Sequence, residues 1–88
     1  MNSKQIEIAN RLREIMVDSL RLSMNPEDIG YDLELFNEGL GLDSVDGLEL
    51  VAAIDSEYGV SMSKEHRQYF KNLETLSAYI LECLESQS

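Results

Sequence analysis

Apolar residues in this chain recur at steps of three and four in three separate runs, the spacing that gives a helix one greasy face. Ile8, Leu12, Ile15, Met16 and Leu20 make the first stripe, opposite Glu7, Arg11, Glu14, Asp18 and Arg21. The pattern predicts a helix over about residues 4–21, capped by Asn2 or Ser3. A second predicted helix, 44–58, carries Leu50, Val51, Ile54 and Tyr58 towards the core, and a third, about 73–85, carries Leu73, Leu76, Ile80, Leu81 and Leu84 behind Asn72 as cap. No strand is predicted. Such stripes are stable in water only when buried against one another, so the expected fold class is all-α, a small four-helix bundle of three main helices, one short helix and a long first loop.

The segments between the helices carry their own signals. Asn25-Pro26-Glu27-Asp28 places a cap, a proline at the first helical position and two acids in the positive first turn, and Gly30 follows at once. This predicts a single helical turn within a loop spanning 23–42, tied down by Ile29, Leu33, Leu35 and Phe36. A loop that long in a compact domain is usually functional. Gly59 is placed to end the second helix in a left-handed conformation. Ser63 can cap a short helix over about 64–70, where Lys64, Arg67 and Lys71 form a solvated basic face and His66 is expected to be exposed or hinge-side. Glu7 and Arg11 form an i,i+4 pair in the favourable order, contributing only about 0.2–0.5 kcal/mol, so burial must hold the first helix.

The stretch Gly41-Leu42-Asp43-Ser44-Val45-Asp46-Gly47-Leu48-Glu49-Leu50 is where the loop meets the second helix. Asp43 is a preferred N-cap residue, which puts Ser44 at the first helical position and its hydroxyl at an exposed tip. Gly39 and Gly41 precede it and permit tight turns and close approach by another molecule. No histidine lies nearby in sequence to act as a base, so the serine is not a self-sufficient nucleophile. The second helix also has more apolar residues than one buried face requires. Val45, Leu48 and Ala52 lie among Asp46, Glu49, Asp55 and Ser56, the pattern of a docking surface with a dry centre and a charged edge; the alternative is that Leu48 packs on the preceding loop.

Composition narrows the partners. Eighty-eight residues make one small domain, 1–88, with little room for a multi-part catalytic cleft. The net charge is −10, and all of it belongs to the middle of the chain: ten acids and no lysine or arginine lie between Leu22 and Ser63, while the remainder has seven of each sign. Nucleic acid and membrane insertion are therefore not expected, whereas basic patches on protein partners would be attracted. Cys83 is the only cysteine, which rules out an intrachain disulfide and fits a small apolar filler in a reducing, cytoplasmic compartment. The amphipathic pattern begins directly after Met1-Asn2-Ser3-Lys4, so no secretory signal is expected. No metal is expected either: calcium-loop registers starting at Asp32 or Asp43 place Phe36 or Val45 where an oxygen ligand is required.

Asp43-Ser44-Val45 followed by Leu48-Glu49-Leu50 resembles the Asp-Ser-Leu signature of the acyl carrier proteins. The resemblance covers nearly the whole chain, with Phe36 eight residues before the serine, Glu57-Tyr58-Gly59-Val60 ending the second helix, and Met62, Phe70, Leu73 and Ile80 where that family has core residues. It implies an acyl-carrier-like bundle and a carrier rather than an enzyme. Ser44 would be the attachment site of a 4′-phosphopantetheine arm, taken from coenzyme A by a separate phosphopantetheinyl transferase, whose thiol holds acyl groups as thioesters. Asp43, Val45, Asp46, Leu48, Glu49 and Ala52 would meet the partners. These would be synthases, reductases, dehydratases and acyl ligases or transferases of fatty acid or polyketide biosynthesis, with a monomeric carrier. An acyl chain would shelter among Phe36, Leu50, Ile54, Met62, Phe70 and Leu73. Val45 in place of leucine, Gly47 in the second turn and the bulky Leu42 depart from the usual pattern and point to a specialised carrier. Two other readings remain open on residues alone: an unmodified acidic helical adaptor, and a peptidyl carrier, whose serine usually follows a Gly-Gly-type element absent here.

Overall fold

The computed structural model describes residues 1–36 and 38–87, and among them it is all-helical. Helix α1 runs over Ser3–Ser19, α2 over Ser44–Tyr58 and α3 over Leu73–Gln87; a 3-10 turn, Pro26–Asp28, lies in the first loop and a 3-10 helix, Lys64–Phe70, precedes α3. An isolated parallel bridge between Phe36 and Leu42 is the sole strand-like feature among the described residues. Helix α1 packs against both α2 and α3, and the 3-10 helix packs against α3.

Each boundary has a local cause. Asn2 starts α1 by accepting the Gln5 N–H at 2.8 Å. The helix stops earlier than the expected 4–21 because the chain turns left-handed at Arg21, φ 53°, allowing Leu22 N–H to reach back to the Val17 carbonyl at 3.1 Å. Nothing in the sequence marks this end, since glycine or asparagine normally takes that position. Helix α2 begins and ends where expected, with Asp43 as N-cap and Gly59 at φ 68° closing it. Asn72 Oδ1 accepts the Thr75 N–H at 2.8 Å and starts α3.

The core forms where the three stripes meet. Leu12, Met16, Leu50, Ile54, Leu73, Leu76 and Ile80 are wholly buried, and the first loop adds Ile29 and Leu35. Val51 and Tyr58, assigned to the core stripe by spacing, are half-buried at its edge. The expected Glu7–Arg11 pair is replaced by a longer-range one: Arg11 bonds Glu14 at 3.3 Å and crosses to Glu57 of α2 at 3.0 Å. That hydrogen bond holds the Glu57 carboxyl below its ordinary range. The contribution is therefore present above the ordinary glutamate pKa and is lost as pH falls through the depressed value. The pair is exposed, so the aliphatic contacts dominate.

Two polar clamps hold the long loop. Arg13 lies 4.0 Å over the Tyr31 ring and donates from Nε to the Ile29 carbonyl at 2.8 Å, while Tyr31 Oη donates to Asn10 at 2.7 Å. The loop also bonds forward to the α3 region, through Leu35 N–H to the Lys71 carbonyl and Glu74 N–H to the Tyr31 carbonyl, both at 3.0 Å. His66 lies in the 3-10 helix that connects α2 to α3. It is half-buried, its Nδ1 accepts the Ser63 N–H at 2.9 Å, and its ring adjoins Tyr69 and Tyr79, which stack at 4.1 Å. Cys83 is half-buried, and its hydrogen bond with Tyr79, ahead of burial, pushes that phenol up to about 12.

Candidate functional site

The loop segment 34–42 folds back on itself immediately before α2. Leu40 N–H donates to the Glu34 carbonyl at 2.7 Å and Leu42 N–H to the Leu35 carbonyl at 3.1 Å. Gly39 lies so close to the Glu34 backbone that any β-carbon would collide with it, and Gly41 has φ 80°. Leu42 is buried beneath this fold, and the next residue begins the helix. The two glycines thus serve the backbone's own approach to itself, a tighter role than the access for another molecule that their types alone implied.

At the helix tip two carboxylates face the backbone. Asp43 Oδ1 accepts the Asp46 N–H at 3.0 Å, and Asp46 Oδ2 accepts the Asp43 N–H at 3.1 Å, a reciprocal capping box. Asp46, assigned to the docking rim on sequence, is half-buried and serves as a cap; the spacing Asp43-x-x-Asp46 carries that signal, since serine or threonine and glutamate are only its commonest residues. Between them Ser44 is exposed, and its hydroxyl makes no hydrogen bond with any described residue. Neither neighbouring carboxylate is turned to it as a base.

Beyond the tip, α2 shows two faces. Val45 and Leu48 are 64% and 70% exposed, so Leu48 does not pack on the loop; Glu49 and Ala52 are exposed beside them. On the opposite face Leu50 and Ile54 are buried with Met62, Phe70 and Leu73, while Phe36 is half-buried against the same cluster. The six residues assigned to an acyl pocket are therefore brought together, but as packed core. Two open clefts of about 410 and 400 Å³ lie elsewhere, one against α1 and α2 near Arg11 and Glu57 and one near Ile8 and Leu84, and neither is lined by any of the six.

Gly47 faces the Phe36 ring, a neighbour that the sequence did not disclose. A β-carbon there would lie 3.4 Å from Phe36 Cζ, an ordinary contact, so the ring faces this turn with room left for a methyl group. Alanine at this position removes a helix-interior glycine without a clash. Gly47→Ala is expected to raise stability by about 0.5–1 kcal/mol in urea unfolding.

A family model described as the phosphopantetheine attachment site matches residues 6–80. The acyl carrier protein of Solidesulfovibrio magneticus is 31% identical over 75 residues, covering 85% of this chain and 92% of that protein. This chain belongs to the acyl carrier protein family. The acyl carrier proteins of Thermosynechococcus vestitus and Phytoplasma australiense are 32% and 34% identical over 76 and 73 residues, covering 86% and 83% of this chain and 90% and 92% of theirs. As a member of the family the chain is a carrier of acyl groups on a 4′-phosphopantetheine arm, and neither comparison favours an unmodified adaptor or a peptidyl carrier. The helix tip fits such an arm: its hydroxyl is exposed and unbonded, and Gly41 beside it brings no side chain. Among the described residues, no helix of this acyl carrier is long and apolar enough to cross a membrane.

Proposed function

We propose that Ser44 carries the arm and that the whole chain, 1–88, acts as a single carrier domain, a substrate and shuttle rather than an enzyme. The observation that supports this most is the exposed, unbonded hydroxyl at the first position of α2, within the matched segment 6–80. Ser44 supplies the oxygen of the new phosphodiester, the pyrophosphate bond of coenzyme A breaks, and adenosine 3′,5′-bisphosphate leaves. The hydroxyl proton passes to a base on the phosphopantetheinyl transferase, because Asp43 and Asp46 are committed to backbone N–H groups. Once attached, the arm supplies a thiol that holds acyl groups as thioesters. The phosphate lies at a helix N-terminus, which favours an anion by about 0.3–1 kcal/mol, and the two caps oppose it with their own charge.

The partners in this reading are the transferase and acyl-processing enzymes of fatty acid or polyketide-type biosynthesis, met in the cytoplasm by a monomeric carrier. They would read Val45, Leu48 and Ala52 as an apolar centre and Glu49, with Asp43 and Asp46 beside it, as an acidic rim. The cargo shelters among Phe36, Leu50, Ile54, Met62, Phe70 and Leu73 by parting side chains that are packed in the empty protein. Intact mass tests the attachment. Incubation with coenzyme A, magnesium and a broad-specificity transferase should add one phosphopantetheine; an unchanged mass contradicts the reading.

Leu48 tests the docking face separately. Because it is 70% exposed, Leu48→Arg should leave stability within about 0.5 kcal/mol, yet it sets a cation where a basic partner approaches. The expected result is a transferase KM raised roughly tenfold to a hundredfold, equivalent to about 1.4–2.8 kcal/mol, with kcat little changed. An unchanged KM would remove Leu48 from the docking surface.

A further inference from the structure

We infer that the Phe36 ring is a movable plug between Ser44 and the apolar interior, and that cargo on the arm enters by swinging this ring off Gly47; the inference rests on the reading of Ser44 as the attachment site. Along α2, Gly47 lies three residues beyond Ser44 and so one turn beneath it on the same side, and Leu50 and Ile54 follow, both wholly buried. The line from the exposed hydroxyl to these aliphatics therefore meets bare helix backbone covered by one ring. A β-carbon at Gly47 would lie 3.4 and 3.5 Å from two Phe36 ring carbons, so the ring covers this turn at van der Waals distance from where a side chain would begin.

The ring can move while its backbone stays. Leu35 N–H is bonded to the Lys71 carbonyl at 3.0 Å, Leu42 N–H to the Leu35 carbonyl at 3.1 Å and Leu40 N–H to the Glu34 carbonyl at 2.7 Å, which fixes the chain on both sides of Phe36. Phe36 itself is only half-buried, so rotation of its side chain vacates the notch without breaking any of these bonds. What lies beneath is a set of aliphatic side chains, which an unbranched acyl chain can join without leaving a polar group unpaired.

The test loads the protein from coenzyme A, butanoyl-coenzyme A or octanoyl-coenzyme A with a broad-specificity transferase and follows Gly47 Hα and the Leu50 and Ile54 methyls by NMR. Gly47 Hα should carry a ring-current shift in the unloaded and unacylated forms and lose it with octanoyl, as the two methyls move. In Phe36→Leu the methyls should respond to butanoyl as well, whereas in the native protein butanoyl should leave them in place. Methyls that move with octanoyl while Gly47 Hα keeps its ring-current shift would overturn the plug, and so would methyls that never move. A mass showing no arm would sink the Ser44 reading and the plug together; a loaded protein with an unresponsive Gly47 would sink the plug alone.

Discussion

Ser44→Ala protein incubated with coenzyme A, magnesium and a broad-specificity transferase is expected to keep its unmodified mass, a complete loss of loading. In the proposed function the hydroxyl oxygen is the bond-forming atom, so no residual rate is available from its surroundings. The fold should not change with it. The side chain is exposed and unbonded, and the helix start depends on the Asp43 and Asp46 carboxylates rather than on Ser44. Unfolding free energy should therefore stay within about 0.5 kcal/mol of the unsubstituted chain, as is usual for surface positions without a special contact. That pairing of outcomes separates a lost attachment atom from a lost structure. Serines elsewhere, such as Ser61 and Ser63, are exposed but stand at no α-helix tip, and replacing them should leave loading intact.

Gly39→Ala is expected to have the largest effect on stability, about 3 kcal/mol in urea unfolding. A β-carbon at this position would run into the carbonyl group of Glu34, a backbone atom with no flexible end to give way. Relief requires the loop to open, which breaks the 2.7 Å bond between Leu40 N–H and the Glu34 carbonyl and strains the neighbouring one between Leu42 N–H and Leu35. Overpacking of this kind costs about 1–3 kcal/mol, and a broken bond that leaves its partners unsatisfied adds about 1–3 more. Because the same fold positions Leu42 and the start of α2, loading of Ser44 should slow in parallel. A variant as stable as the parent would show that the loop does not need this close approach.

Features set by neighbours along the chain were legible from residues alone. Helix α2 occupies 44–58 as its apolar spacing and its Asp43 cap require, Gly59 adopts the left-handed close, and Asn72 starts the last helix. The 3-10 turn at Pro26 and the 3-10 helix from Lys64 were readable for the same reason, since each depends on residues within a few positions. Val45 and Leu48 stand in solvent as the surplus of apolar residues on α2 implied.

What escaped the sequence depends on segments that meet only after folding. Arg11 chooses Glu57 across 46 positions over Glu7 four away, and Arg13 finds the Tyr31 ring and the Ile29 carbonyl. Gly39 looked like a permissive turn residue, but its constraint comes from Glu34, and the Phe36 ring that faces Gly47 comes from another segment of the chain. Arg21 ends α1 in a conformation its residue type disfavours, and the pull of Leu22 back to Val17 has no signature in composition. The site divides the same way: Ser44 and its Asp43 cap are local and legible, whereas the approach of the Phe36 ring to Gly47 is a tertiary contact.

In the proposed function one exposed oxygen at the tip of α2 carries the prosthetic arm. Fragmentation mass spectrometry of protein purified from its native host tests it most directly, because the fragments locate the arm and weigh its cargo together. The expected spectrum places a phosphopantetheine, bearing an acyl group in part of the population, on the peptide containing Ser44 and on that residue. An arm on any other side chain, or native protein with no arm at all, would contradict it.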